Sequence, residues 1–337
     1  MQAAERINVT NRNTRTSEPI FVASFLAFCA LAAILIGASP LAASIATIFL
    51  FAGIHNLMEF RYFVARMPVR WGKSRTYYTI GIGGVVVLTI AYLSIYFTSG
   101  WLWSAETSVY TAASWNTFFV LWLATLFYLR GRQRPQTDWT WAFPVGLFAA
   151  SLAWLVPHFF SLALVYLHPL VALWFFERQL RRTKPEWLKP FHLCLAALPI
   201  FLAALWFAFA NTPDLPNDNF LEWRIAQHAG SDILSGISSH YLVAAHVFLE
   251  TIHYSVWILL IPLIDKKAAP FDFRSIPLVK NKNGFPRLVF AFLTFGLIAV
   301  FALWFGFAID YTTTRDVYFA FAIAHVLAEF PFLIKML

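Results

Sequence analysis

The sequence predicts an all-α protein, a polytopic transmembrane bundle of about ten helices with both termini in the cytoplasm. Of the 337 residues, 60% are hydrophobic and 12% are charged, and soluble domains carry about twice that charged fraction. Apolar runs recur along the whole chain and are much longer than the roughly ten residues of a membrane β-strand. Because every backbone polar group must be satisfied inside hydrocarbon, helices are the expected spanning element.

Ten apolar runs account for the predicted helices. A polar segment over residues 1–19 precedes them, and residues 20–337 are expected to form one transmembrane domain. The first run is long for a signal peptide, so we expect it to remain as a helix. Each run has a length suited to a hydrocarbon core of about 30 Å. The predicted spans are 20–37, 41–66, 77–98, 108–129, 140–156, 158–178, 191–210, 239–264, 287–308 and 316–335.

Basic residues alternate regularly between the two ends of these spans. They cluster before the first helix and after the second, fourth, sixth and eighth, whereas the alternate loops contain few Lys or Arg. After the eighth span, for example, the chain has Lys266, Lys267 and Arg274. This alternation follows the positive-inside rule and predicts an integral protein of the bacterial inner membrane. It also accounts for the net charge of +8 without any nucleic-acid partner.

One outer connection, residues 211–238, is longer than the others. It places acidic residues such as Asp218 and Glu222 between apolar ones such as Phe220 and Trp223. This pattern is typical of a short amphipathic helix lying on a membrane surface. A plain interfacial connector is the simpler interpretation, and a lid over a site is the alternative.

Four histidines share one predicted depth in four different helices. Each lies about 10–13 residues before the next cytoplasmic basic residue, which corresponds to roughly 15–20 Å along a helix. That depth is near the middle of the bilayer, where a polar side chain needs a partner or a cavity. The four are His55, His168, His253 and His325. We expect them to converge on one buried pocket.

Glutamates accompany these histidines at helical spacing. Glu59 follows His55 by one turn, and Glu329 follows His325 in the same way. In the eighth span Glu250 lies between two histidines, since His246, Glu250 and His253 are at i, i+4 and i+7 and share one helix face. Neutral imidazole is the commonest metal ligand, and its second nitrogen usually donates to a carboxylate or carbonyl.

The predicted site is therefore a metal centre. His55, His168, His253 and His325 are the expected ligands, with His246 in reserve. Glu59, Glu250 and Glu329 are the expected catalytic residues, which orient the ligands or move protons. Such a donor set suits Fe(II), and less well copper, zinc or manganese. A structural polar network and a proton pathway are the alternatives for the same residues.

Some of these stretches resemble a known family. His55-x-x-x-Glu59, the pair His246 and His253, and His325-x-x-x-Glu329 are similar to motifs of the bacterial Brp/Blh-type membrane β-carotene cleavage dioxygenases. In that family an Asp stands in the position of Glu59, and the resemblance covers only the short stretches around these residues. It implies a non-haem iron held by membrane histidines and a hydrophobic substrate.

The function expected from the residues is that of a membrane-embedded metal-dependent oxidoreductase or oxygenase. Its substrate would be a hydrophobic lipid or isoprenoid-like molecule, and membrane lipids would surround it. Two alternatives remain open at this point. One is a haem-linked or quinone-linked electron-transfer protein, in which two histidines serve as axial ligands. The other is a proton-coupled transporter. The oligomeric state does not follow from the sequence.

Overall fold

The computed structural model describes residues 2–102, 104–134, 136–265, 273 and 276–337. Within these ranges the chain forms helices and no strand, which confirms the all-α prediction. Lys266, Lys267 and Arg274 lie outside the described residues. The helices are α1 Gln2–Ala38, α2 Pro40–Arg66, α3 Arg75–Leu102, α4 Ala105–Gln133, α5 Ala142–Leu155, α6 Pro157–Thr183, α7 Leu188–Phe209, α8 Phe220–His228, α9 Ser239–Ser255, α10 Ile261–Ile264, α11 Pro277–Lys280, α12 Pro286–Ile309 and α13 Tyr311–Met336.

Among the described residues, nine helical stretches are long and apolar enough to cross a membrane. The span predicted over 140–156 is shorter than expected, because α5 has only 14 residues. At 1.5 Å per residue it measures about 21 Å, less than the roughly 30 Å of a hydrocarbon core. The helix ends where Val156 leaves the helical conformation, with φ −140° and ψ 62°. The next residue, Pro157, disfavours helical backbone at the position before it.

Residues 1–19 and 211–238, which lie outside the predicted spans, both contain helix. α1 begins at Gln2 and so includes most of the segment 1–19, while its apolar stretch begins at Glu18. In the connection 211–238, α8 forms the short helix that the sequence predicts, and Asn219 caps it by accepting a hydrogen bond from the N–H of Glu222. Its position on a membrane surface remains a prediction.

The chain divides into two compact units. Unit 1 contains Met1–Thr47 and Ala172–Lys266, and unit 2 contains Ile48–Val171 and Lys267–Leu337. In unit 1, α1 packs against α7 and α9, and α8 packs against α9. In unit 2, α13 packs against α3, α4 and α12, while α4 also packs against α3 and α5. The single domain expected over 20–337 stays a prediction.

A capped turn sets the start of α13. Asp310 ends the connection from α12, and its Oδ1 accepts a hydrogen bond from the backbone N–H of Thr313 at 3.1 Å. The hydroxyl and the N–H of Thr313 lower the pKa of the Asp310 carboxyl, because both bonds favour its charged form. An N-terminal cap of this kind satisfies orphan N–H groups of the first turn.

Tryptophan side chains connect α3 and α4 within unit 2. The indole N–H of Trp122 donates to the carbonyl of Ile80 at 2.9 Å, and that of Trp115 donates to the carbonyl of Leu88 at 2.9 Å. The Trp122 ring lies directly over Gly84, where an added Cβ would be 1.9 Å from the indole nitrogen. The absence of a side chain at Gly84 therefore permits this helix contact.

We expect Gly84→Ala to destabilise the protein by about 1–3 kcal/mol, because the new methyl group overpacks against Trp122. The matched control is Gly83→Ala, since a Cβ at Gly83 meets nothing within 4 Å. Thermal unfolding of both variants in detergent measures the difference. Equal melting temperatures for the two variants would contradict the described packing of α3 on α4.

Candidate metal centre

Three helices contribute the candidate centre, all through segments that belong to unit 2. α2 carries His55 and Glu59, α13 carries His325 and Glu329, and α6 carries His168. The spacing of four residues places both members of each His-Glu pair on one face of their helix. His55 and Glu59 are each 1% exposed and Glu329 is fully buried. Polar side chains at such burial need hydrogen bonds or a bound ion.

The ligand atoms of these residues lie close together. His55, Glu59 and His325 each offer one nitrogen or oxygen, and these three atoms lie within 4.8 Å of one another. The His325 ring lies between two others: its centroid is 5.3 Å from that of His55 and 5.1 Å from that of His168. The interplanar angles are 82° and 69°. Within unit 2, His55, His168 and His325 thus lie close together, while the convergence of all four histidines stays a prediction.

The closest pair of nitrogens has a spacing suited to a shared ion. Nε2 of His325 lies 3.2 Å from Nε2 of His168. Two nitrogens that are each about 2.1 Å from one ion, at an angle of 90–110°, are about 3.0–3.4 Å apart. The spacing of these two nitrogens is therefore compatible with neighbouring positions on one metal ion.

Two of the imidazoles have one nitrogen close to an oxygen atom. Nδ1 of His55 lies 3.1 Å from the carbonyl oxygen of Phe51. Nδ1 of His168 lies 3.1 Å from Oε2 of Glu329. Because a carbonyl oxygen only accepts, Nδ1 of His55 carries the proton, and its Nε2 retains the lone pair that a metal requires. Metal-binding histidines usually have this arrangement.

Glu59 gives an independent indication of an ion. Both of its carboxylate oxygens are buried, and among the described residues neither has a hydrogen-bond partner. Glu329 is close enough to interact electrostatically with it. Two buried carboxyl groups near one another can both be ionised only at a cost of several kcal/mol, unless a cation compensates them. A cation bound to the neighbouring imidazoles would compensate this charge, so the residues present fit a metal ion.

The remaining predicted residues lie on α9 in unit 1. His246, Glu250 and His253 are all buried. Nε2 of His246 lies 3.7 Å from Oε1 of Glu250, and its ring centroid is 5.1 Å from that of His228 at the end of α8. His246 therefore has partners within its own unit. The roles predicted for His253, His246 and Glu250 in metal binding or catalysis stay predictions.

Sequence reasoning missed the contact between Glu329 and His168. The regular spacing associates Glu329 with His325, its neighbour on the same helix, but the 3.1 Å contact of its Oε2 is with a ring on α6. No local pattern indicates this pair, because the two residues are far apart in the chain and only the packing of α6 and α13 defines it.

The fold and the cluster together define a class of protein: a helical protein that has, among its described residues, nine helices able to span a membrane and a buried His/Glu group able to bind a metal ion. Comparison with known protein families, curated proteins and solved structures gives no match for this chain. The resemblance to the Brp/Blh-type dioxygenases remains an interpretation of short motifs.

We expect the purified protein to contain about one metal ion per chain and His325→Ala to lose it, because His325 contacts both other imidazoles of the cluster. The matched control is His192→Ala, since the His192 side chain is 51% exposed and lies beside Glu177 in unit 1. Elemental analysis by mass spectrometry measures the content. Equal metal content in the two variants would exclude His325 as a ligand.

We expect Glu59→Gln to weaken metal binding while leaving the stability of the metal-free protein nearly unchanged. The substitution removes a carboxylate that can compensate a bound cation and puts a neutral amide of the same shape in its place. Metal at 100 times its dissociation constant should add about 2.7 kcal/mol to the wild type and much less to the variant. Thermal unfolding with chelator and with added metal tests both effects, with Glu186→Gln on an exposed turn as control. Unchanged metal-induced stabilisation in Glu59→Gln would show that this carboxylate is not part of the centre.

Proposed function

We propose that the protein is a membrane-embedded oxidoreductase that uses non-haem Fe(II) and acts on a hydrophobic lipid or isoprenoid-like substrate. The observation that supports it is the cluster of three imidazoles and two carboxylates buried among apolar helices. Histidine and carboxylate donors with open positions are the ligand type of non-haem Fe(II) oxygenases. When bound, iron would supply the one-electron and O2 chemistry that side chains lack.

Each residue of the cluster has a defined part in this proposal. His55, His168 and His325 would hold the ion. The carboxylate of Glu329, 3.1 Å from Nδ1 of His168, would help to orient that ring. Glu59 compensates charge, and its buried carboxylate holds or releases a proton as the charge of the site changes.

The apolar surroundings support a hydrophobic substrate. Large side chains such as Phe207, Phe295 and Phe305 are exposed on the outer faces of the helices, as is expected of surfaces that contact lipid. A lipid-soluble substrate would thus already be concentrated around the helices. The basic loops of the sequence support the bacterial inner membrane as the location of the protein, with both termini in the cytoplasm.

The geometry favours non-haem metal over haem at this position. Two axial nitrogens on opposite sides of one haem iron are about 4 Å apart, with the porphyrin plane between them. The Nε2 atoms of His168 and His325 are 3.2 Å apart, which leaves no room for a porphyrin between these rings. The same two nitrogens are well placed as adjacent ligands of a single ion.

A direct assay tests the proposed function. We expect the protein in lipid nanodiscs, loaded anaerobically with Fe(II), to consume O2 in the presence of a polyene isoprenoid, and His325→Ala to lose this activity. His192→Ala should keep it. The visible spectrum should lack the intense Soret band of haem. A Soret band in the pure protein, or activity that survives His325→Ala, would refute the proposal.

A further inference from the structure

A proline lies inside α13 just after the two cluster residues that this helix bears. Pro331 lies inside α13, two residues after Glu329, and it is buried. Because proline has no N–H, the carbonyl of Leu327 loses its regular donor within the helix. Leu327 lies between His325 and Glu329. The turn of α13 that carries His325 and Glu329 therefore has one backbone hydrogen bond fewer than a regular helix.

Helix α3 contacts this proline in two ways. The hydroxyl of Tyr77 donates to the carbonyl of Pro331 at 2.6 Å, and Tyr77 is fully buried. One turn further along α3, a Cβ added at Gly81 would lie 3.1 Å from the Cβ of Pro331. Tyr77 and Gly81 are four residues apart and share one face of α3. That face supplies both a hydrogen bond and close packing at a single residue of α13.

One turn after Pro331, α13 also makes hydrogen bonds to residues outside it. Nζ of Lys335 donates to Oγ of Ser74 at 2.7 Å and also to Oε1 of Gln133 at the end of α4. The polar contacts of α13 with neighbouring helices thus include those at Pro331 and Lys335. Of the two, the Tyr77 contact is the nearer to Glu329.

We propose that Tyr77 and Gly81 are positioning residues that fix Pro331 and thereby hold Glu329 against His168. Neither residue offers a ligand, so they would act on the centre only through the geometry of α13. The inference rests on the proposed function, because it assumes that the cluster binds a metal ion. Groups that orient metal ligands are typically worth 10–100-fold in metal affinity, and we expect about tenfold here.

The test measures metal binding to the full-length protein in detergent, with Co(II) as the spectroscopic probe. We expect Tyr77→Phe to raise the dissociation constant for Co(II) about tenfold and to shift the ligand-field absorption bands. Tyr78→Phe is the matched control, since Tyr78 is also buried and packs edge-on against Tyr77 at 5.6 Å. Gly81→Ala should act like Tyr77→Phe, whereas Gly83→Ala, which meets nothing within 4 Å, should match the wild type.

A double-mutant cycle distinguishes positioning from general stability. If Tyr77 acts through Glu329, then Tyr77→Phe should change Co(II) affinity much less in a Glu329→Gln background than in the wild type. A purely structural role for Tyr77 would lower the melting temperature and leave both the affinity and the absorption bands unchanged, which would overturn the inference.

The outcomes separate this inference from the proposed function. A wild-type protein that binds neither Co(II) nor Fe(II) would refute the metal centre itself. A wild-type protein that binds Co(II), with Tyr77→Phe equal to Tyr78→Phe in affinity and spectrum, would refute only the positioning role. If Tyr77→Phe does not fold, the comparison of Gly81→Ala with Gly83→Ala decides by the same criteria.

Discussion

The free-energy cost of burying carboxylates among imidazoles governs the arrangement of unit 2. Glu59 and Glu329 are almost completely buried, and apolar helices surround them. In such surroundings a charge without compensation costs several kcal/mol, which is a large part of the stability of a typical protein. The cost is understandable if the cluster serves a function, since proteins commonly give up stability at functional sites. A metal ion is the simplest group that compensates both carboxylates and uses the lone pairs of the imidazoles.

Two of the three helices that carry the cluster share a second feature. His168 is followed directly by Pro169 inside α6, and Glu329 is followed two residues later by Pro331 inside α13. Each proline removes one hydrogen bond from its helix and makes the backbone there depend on its neighbours. On α13 those neighbours are Tyr77 and Gly81 of α3. The geometry of the cluster thus depends more on contacts between helices than on the backbone hydrogen bonds within each helix.

The partners of the polar side chains show the same dependence. Glu329 is one turn from His325, and its carboxylate contacts His168 on another helix at 3.1 Å. The ring of His168 in turn approaches His325 at 3.2 Å. Residues of α6 and α13 therefore alternate in this chain of contacts. Such alternation couples the position of one helix to that of the other, which explains why a residue on α3 can influence a site to which it contributes no ligand.

Much of the protein followed from the sequence alone. Low charge and long apolar runs predict helices able to span a membrane. Regular spacing also places His55 with Glu59, and His325 with Glu329, on one face of a helix. Both predictions are possible because these properties depend only on local composition and helical geometry. The shortness of α5 was not foreseen, since its apolar run continues into that of α6 and only the backbone at Val156 separates the two. The contact of Glu329 with His168, the approach of His168 to His325, and the hydrogen bond from Tyr77 to Pro331 were decided by the tertiary structure. They join residues far apart in the chain, and the packing of the helices, which no local pattern records, brings them together.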